Sequence, residues 1–354
     1  MGGDVVSGAV WLSLSWRARV NVEALNMAEA VGNYIKHRRV PIAVYEDGKY
    51  TLRYVPAISG ESIAHAYQQW LAEEALKLGL NVCEMCKKGE LVKHGSRAIL
   101  ELEKLPFEVE SADAAHELEK RITANCVVED IGGFLVPTRV PVKRTSRFYV
   151  GYMIPALEDI KAATLDPQFH VRHAPSMLGT EYREAARELG VTEKGQAIYY
   201  VEVGSAIYTG SFSLDFTSIG YTSMVKVEGV FPKERLQQER LQRAKVAIRA
   251  LYYLVQGLFG AKRTRFQPDY ELLSLVAAVS CGNPFNVSPG HSRNFIAETY
   301  SRAKALARMT GTEVKLYVYA KEPEIAIPSD AKPYESFEEL IAKLTDDVIA
   351  ALKA

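Results

Sequence analysis

The chain has 354 residues with 43 basic and 43 acidic side chains, so its formal net charge is zero. Its length allows about two domains, and its longest apolar stretches, such as 271–280, fall well short of the roughly 20 residues of a bilayer span. The N-terminus lacks signal-peptide features and four cysteines do not form a secreted disulfide framework, so we expect a cytoplasmic protein.

Regular alternation of apolar and polar residues over 8–22 predicts a strand with one buried and one open face. A second strand is predicted at 50–55 and ends at Pro56. Ser59 then fits the N-cap of a helix that Gly79 terminates. The order of these elements is strand, tight Ser-Gly turn, helix.

The rest of the chain continues as a mixture of strands and helices. Glycine and proline punctuate several predicted strands over 124–154, with Cys126 in one apolar strand. The helix at 233–258 has an apolar stripe, and we expect Arg240 and Arg243 on its polar side. The other predicted elements are strands at 169–174, 196–216, 271–280 and 313–320 and helices at 292–309 and 336–354. This order predicts an α+β, ferredoxin-like β-α-β-β-α-β core with large insertions.

Positive charge is concentrated in three short stretches: IKHRRVP near Lys36, PVKRTSRF near Lys143 and FGAKRTRF near Lys262. Solvated surface explains any single cluster, but three similar clusters beside Gly, Pro or aromatic residues favour polyanion binding. Lysine and arginine attract phosphates, and glycine turns let backbone N–H groups approach them. Because no RRM stacking signature is present, we expect contacts to a nucleic-acid backbone with little base reading.

His170 and Arg172 share one face of the predicted strand at 169–174. His173, on the other side of Arg172, points to the opposite face. These residues can bind phosphate or ribose, the two histidines can be a structural pair, or a histidine and the arginine can act as the base and phosphate clamp of a metal-independent ribonuclease. Walker A, dinucleotide-binding, nucleophile-elbow and zinc-protease motifs are absent from the sequence.

Cys83 and Cys86, followed by His94, have the spacing of half a zinc site. The fourth ligand would come from Cys281, His37 or His291. A local disulfide or two free thiols are the alternatives.

Several motifs occur in an order that resembles the archaeal type I-A CRISPR-associated backbone subunits, the DevR-like branch of the RAMP superfamily. They are NVEALN, VGNYIKHRR, RYVPAISGESIAHAYQ, VEDIGGFLVP, VKRTSRFYVGYMIPAL, QFHVRHAP and FGAKRTRFQP. The resemblance implies a modified RRM-like palm with an antiparallel sheet and helices on one face. On this basis we assign the palm to 1–30, 50–80, 120–140 and 195–285, insertions to 31–49 and 81–119, an insertion or lid to 141–194, and an α/β extension to 286–354.

The resemblance also implies a function. Such subunits polymerise head to tail along a CRISPR guide RNA (crRNA) and present its bases to target DNA within an interference complex. The chain is then expected to be a binding protein and not an enzyme; a RAMP-type endoribonuclease is the alternative. The implied RNA contacts are Lys36, His37, Arg38, Ser59, Gly60, Lys143, Arg144, Arg147, His170, Arg172, Lys262, Arg263 and Arg265. Zinc is the only cofactor that we consider.

Overall fold

The computed structural model describes residues 9–173 and 196–354. The strands are β1 (Val10–Glu23), β2 (Met27–Val31), β3 (Tyr34–His37), β4 (Arg39–Glu46), β5 (Lys49–Pro56), β6 (Phe134–Val136), β7 (Val142–Arg144), β8 (Phe148–Val150), β9 (Ile154–Pro155), β10 (Thr164–His173), β11 (Gln196–Asp215), β12 (Asp269–Cys281) and β13 (Glu313–Ala320). The helices are α1 (Gly60–Lys77), α2 (Glu84–Lys87), α3 (Arg97–Leu102), α4 (Ala112–Asn125), α5 (Val127–Gly132), the 3₁₀ helix η1 (Leu157–Ala162), α6 (Lys233–Val255), α7 (Phe295–Thr310) and α8 (Phe337–Lys353). Among the helices in these ranges, none combines the length and apolarity that a membrane span requires.

The largest sheet has a ferredoxin-like core. β1 is central and pairs antiparallel with β11 and β12, while β8 pairs with the outer edge of β11. The resulting order β12-β1-β11-β8, with α1 before β8 and α6 before β12, is that of a β-α-β-β-α-β fold. α1 and α6 pack together on one face of this sheet. The predicted α+β ferredoxin-like fold is therefore confirmed.

Both faces of β1 are covered. Leu12, Leu14 and Trp16 face the apolar core, as the alternation predicts. The predicted open face is wrong, because Ser15 and Arg17 are also buried. A strand pattern reports which residues share a face, but it does not report what later segments of the chain pack onto that face.

An ionic network fills the second face of β1. Arg17 donates to the carbonyl of Gly290 at 2.8 Å and to Glu322 at 2.7 Å, and it also pairs with Asp159. The N–H of Gly290 donates to Ser15 Oγ at 3.0 Å. Burial by itself lowers the pKa of Arg17, but the two carboxylates raise it above its ordinary value, so the guanidinium stays charged.

The insertion between α1 and β8 differs from its predicted structure. Residues 127–132 form helix α5 where we predicted a strand, and Cys126 lies at the junction of α4 and α5. The insertion has its own apolar cluster, which includes Leu118, Val136 and Val142. The domain boundaries as a whole stay a prediction, although β8 and β9 of the predicted lid pair with β11 in the main sheet.

Two arginines of α6 lie inside the protein, which corrects their predicted exposure. Arg243 pairs with Asp130 at 2.6 Å, and Arg240 donates to the carbonyl of Ile219 at 3.1 Å. Both side chains bind polar groups of the insertion and of the loop after β11. The apolar stripe of the helix does not predict these contacts, because it reports only the period of the helix.

Candidate nucleic-acid interface

Asn26 follows the end of β1 and joins two of the elements that we predicted to contact RNA. Its side-chain oxygen accepts from Arg38 Nε at 2.9 Å and from the N–H of Ser59 at 2.8 Å. The guanidinium of Arg38 is therefore held beside the N-terminus of α1, whose orphan N–H groups favour anions. The predicted RNA contacts do not include Asn26, because a single asparagine after a strand has no sequence pattern that indicates such a role.

The turn 259–266 is fastened to the residue before Asn26. The N–H of Ala261 donates to the carbonyl of Leu25 at 2.8 Å. Gly260 has φ +85°, and a Cβ there would lie 2.9 Å from the carbonyl oxygen of Leu25, so this position requires glycine. This tight backbone contact places the turn 259–266, which we name the basic turn, at the end of β1.

Lys262, Arg263 and Arg265 project from this turn. Within the described ranges, none of the three forms an ion pair, and Arg263 Nε is buried without a hydrogen-bond partner. Arg263 also lines a cleft with His65 and Trp70 of α1. The turn therefore presents positive charge that described protein carboxylates do not neutralise.

His170 lies next to the basic turn. Its ring stacks on Tyr199 with centroids 5.3 Å apart and meets Phe266 edge-on at 5.4 Å. Among described residues its buried Nε2 has no hydrogen-bond partner. Arg172 is on β10 opposite Ala197, and its side chain lies outside the described part of the structure.

Ser59 and Gly60 connect the end of β1 to β8. Ser59 caps α1, with its Oγ accepting from the N–H of Ser62 at 3.2 Å. Its side chain is buried, so the predicted RNA contact is wrong for this hydroxyl. A Cβ on Gly60 would lie 3.1 Å from the carbonyl oxygen of Val150, which shows how closely α1 approaches the end of β8.

Arg147 precedes β8 and has a fixed backbone. Its N–H donates to the carbonyl of Ile131, and its carbonyl accepts from the N–H of Asp215, both at 2.8 Å. Among described residues, Nε and Nη2 of Arg147 are buried without hydrogen-bond partners. Lys143, on β7, is exposed and forms no ion pair with described residues.

Arg144 cannot contact RNA as we predicted. It is buried, pairs with Asp130 and donates to the carbonyls of Asp130 (2.8 Å) and Ser218 (2.9 Å). Alternation along β7 turns its side chain inward while that of Lys143 turns outward.

The predicted RNA contact of His37 is wrong, whereas that of Lys36 stays a prediction. His37 is buried, with Nε2 2.6 Å from Glu23 Oε1. Burial lowers the pKa of His37, but Glu23 outweighs burial and the pKa is raised. Lys36 is exposed but pairs with Glu29 at 2.9 Å, an interaction that phosphate would have to displace.

Backbone contacts and hydrogen bonds connect the segments that carry the remaining basic side chains. From Arg147 the chain runs along β8 to Gly151, about 13 Å of extended backbone. There it meets Gly60, and the hydrogen bonds of Asn26 lead on to Arg38 and the basic turn. We name this set the basic track; its members are Arg38, Lys143, Arg147, His170, Lys262, Arg263 and Arg265.

The predicted metal-ligand set changes in the folded protein. The thiols of Cys83 and Cys86 lie together with Cys126 and Glu129, and all four cysteines of the chain are free. His94 is hydrogen-bonded to Glu129 at 2.7 Å and is not one of the clustered groups. His37 pairs with Glu23, so it is not a fourth ligand.

Buried charges surround this cysteine cluster. Burial raises the pKa of Glu129 to about 7, although His94 acts in the opposite direction. Burial lowers the pKa of His94, but Glu129 and Glu103 outweigh it and raise the value to about 9. The histidine is therefore the stronger base of the pair and holds its proton at neutral pH.

Comparison with known proteins identifies relatives over most of the chain. Residues 14–300 match the family described as "CRISPR-associated negative auto-regulator DevR/Csa2". The chain is 38% identical over 340 residues to "CRISPR-associated aCascade subunit Cas7/Csa2 2" of Saccharolobus solfataricus, covering 95% of this chain and 100% of that protein. It is 36% identical to "CRISPR-associated protein Cas7/Csa2 1" of the same organism, covering 91% and 96%.

A solved structure has the same fold. A chain of a "CRISPR RNA-guided surveillance complex, pre-nicking" matches with a TM-score of 0.51 at 11% identity, covering 96% of this chain and 99% of that one. At this identity the similarity concerns the fold alone.

Proposed function

Because the chain belongs to the DevR/Csa2 family of CRISPR-associated proteins, we propose that it binds CRISPR guide RNA through the sugar-phosphate backbone. The observation that carries this proposal is the set of lysines and arginines on the basic track that form no ion pair with a described residue. Arg147 and Arg263 have buried nitrogen atoms that lack partners among the described residues. A buried donor without a partner is costly, and phosphate oxygens accept strongly from guanidinium groups.

The chemistry of the track favours backbone contacts over base reading. Its members are mainly lysines and arginines at turns and strand ends, and a helix N-terminus lies among them. Such groups bind phosphates of any sequence and leave the base edges free. A guide RNA needs free bases, because pairing with the guide selects the target DNA.

Binding of purified protein to labelled CRISPR RNA tests this proposal. We expect similar affinities, within a few-fold, for CRISPR RNA and for a scrambled RNA of equal length. The double variant Arg147→Ala/Arg263→Ala should bind at least tenfold more weakly, since each loses a charge-assisted hydrogen bond. Arg308→Ala, an exposed residue of α7, which packs against β12 and β13, is the matched control. RNA affinity equal in the double variant and wild type would contradict the proposal.

We further propose that copies of the chain associate head to tail along the RNA, with other interference-complex subunits and target DNA joining through this assembly in the cytoplasm. The β4–β5 hairpin supports a contact between copies, because both of its faces are apolar. Val44 and Val55 pack against Ile160, whereas Tyr50 and Tyr54 on the other face are 77% and 73% exposed. Exposed apolar patches of this kind are typical of protein-protein contacts.

Assembly on RNA of increasing length tests this contact. As the RNA is lengthened, the number of wild-type protein copies bound to each RNA should rise in steps of one. The mass of the complex, measured by size-exclusion chromatography with light scattering, reports this number. Tyr50→Ser/Tyr54→Ser should bind RNA that accommodates a single copy normally but should fail to form the longer assemblies. The contact would be excluded if this variant assembles like wild type.

We also propose that the protein does not cleave RNA. The imidazole of His170 lies between the rings of Tyr199 and Phe266, and its buried Nε2 lacks a partner among described residues. A general base is normally oriented by a second polar group. Incubation with CRISPR repeat RNA should give no discrete products; products that disappear in His170→Ala would establish the ribonuclease instead.

A further inference from the structure

Three cysteines and one glutamate converge where the insertion joins the main core. Cys83 is the N-cap of α2 and Cys86 lies within that helix, Cys126 lies at the α4–α5 junction, and Glu129 is on α5. Their sulfur and carboxylate atoms all lie within 4.8 Å of one another, and all four residues are buried. Cys83 Sγ is 3.3 Å from Glu129 Oε1.

This arrangement matches the size of a tetrahedral zinc site. Zinc binds thiolate sulfur at about 2.3 Å and carboxylate oxygen at about 2.1 Å, so neighbouring ligand atoms lie roughly 3.5–3.8 Å apart. The ligand atoms of the four residues therefore need to move closer together by about 1 Å at most to reach the distances of a tetrahedral zinc site. Thiolates are soft ligands, and closed tetrahedral sets rich in sulfur select zinc. We propose that Cys83, Cys86, Cys126 and Glu129 bind one structural zinc ion.

The surroundings of the cluster favour a cation. Glu129 Oε2 is buried and has no hydrogen-bond partner among described residues, whereas Oε1 lies 2.7 Å from His94 Nδ1. An unsatisfied buried carboxylate oxygen is costly, and a metal ion would satisfy it. His94 then acts as a positioning residue that orients Glu129, the usual role of a group hydrogen-bonded to a metal ligand.

The ion would fix the helix that supports part of the basic track. Asp130, next to Glu129 in α5, pairs with Arg144, and the carbonyl of Ile131 accepts from the N–H of Arg147. Zinc would tie this helix to α2. This consequence rests on the proposed RNA-binding function, whereas the zinc site itself does not.

Elemental analysis of the RNA-free, full-length protein, made without a metal-affinity tag, tests the site directly. We expect one zinc per chain; less than about a tenth of an equivalent overturns the proposal. Mass spectrometry of the denatured protein should find all cysteines reduced. A disulfide between Cys83 and Cys86 would equally overturn it.

Variants identify the ligands. Cys83→Ser should lose zinc, while Cys281→Ser, outside the cluster, should keep it. His94→Gln should bind zinc about 10–100-fold more weakly, because it removes the group that orients Glu129. Full zinc retention in Cys83→Ser would refute the assignment.

If Cys83→Ser does not fold, replacing zinc with Co²⁺ in the wild-type protein tests the same site. Wild-type protein loaded with Co²⁺ should show thiolate-to-metal charge-transfer absorption and the intense visible bands of a tetrahedral site. A weak octahedral spectrum would contradict thiolate coordination. Zinc content and the cobalt spectrum are measured without RNA, so a failure here is distinct from a failure of RNA binding.

Discussion

Arg144 and Arg147 lie three positions apart in one basic stretch, yet the protein uses them in opposite ways. Arg144 is buried and pairs with Asp130, whereas the Nε and Nη2 atoms of Arg147 have no partner among the described residues. Burial of a guanidinium is costly unless carboxylate or carbonyl oxygens accept its hydrogen bonds. The first arginine therefore stabilises the fold, and the second is available to a ligand.

Paired substitutions separate these two roles. Arg144→Met should lower the free energy of unfolding by about 3 kcal/mol or more, because it leaves Asp130 with one buried partner fewer. Arg147→Met should leave stability within about 1 kcal/mol of wild type but weaken RNA binding about tenfold. Urea denaturation and RNA titration of both variants check this. Equal losses of stability in the two variants would contradict the distinction.

The salt dependence of RNA binding should report the contacts of the basic turn. Each phosphate that the protein neutralises contributes about −0.7 to the slope of log K against log salt for single-stranded RNA. Arg263→Ala should therefore reduce the magnitude of the slope by about 0.7, while Arg308→Ala should leave it unchanged. Titrations at several salt concentrations measure this, and an unchanged slope in Arg263→Ala would remove Arg263 from the RNA path.

Gly260 and Gly48 form a matched pair for testing how the turn is fastened. Both have positive φ, +85° and +77°, but only Gly260 would bring a Cβ against Leu25. Gly48→Ala should cost about 1 kcal/mol from backbone strain alone. Gly260→Ala should lower the free energy of unfolding by more than Gly48→Ala does. It should also weaken RNA binding, since the turn must move away from β1. Thermal unfolding and RNA titration compare the two, and the same effect from both would show that the close contact is unimportant.

The pair of His37 and Glu23 predicts a pH dependence of stability. The folded-state pKa of His37 is raised above 6.5: burial lowers it, but Glu23 outweighs burial. The stabilisation is therefore complete below about pH 6.5 and is lost as the pH rises through the folded-state value. Between pH 6 and pH 9, the urea midpoint of unfolding should fall further for wild type than for His37→Gln. Parallel changes in both proteins would show that this pair contributes nothing.

The sequence was enough to predict the elements whose signals are local: the alternation of β1, the Ser59 cap of α1 and the ferredoxin-like order. It also located the basic stretches, because charge is visible in composition. The folded structure was needed to show which of their arginines face inward, since Arg144 meets Asp130, which lies 14 residues away in the sequence. It likewise brought Glu129 to Cys83 across 46 residues. Partners joined by packing of separate segments leave no spacing pattern, because their distance along the chain is set by the insertion between them and not by a helical or strand period.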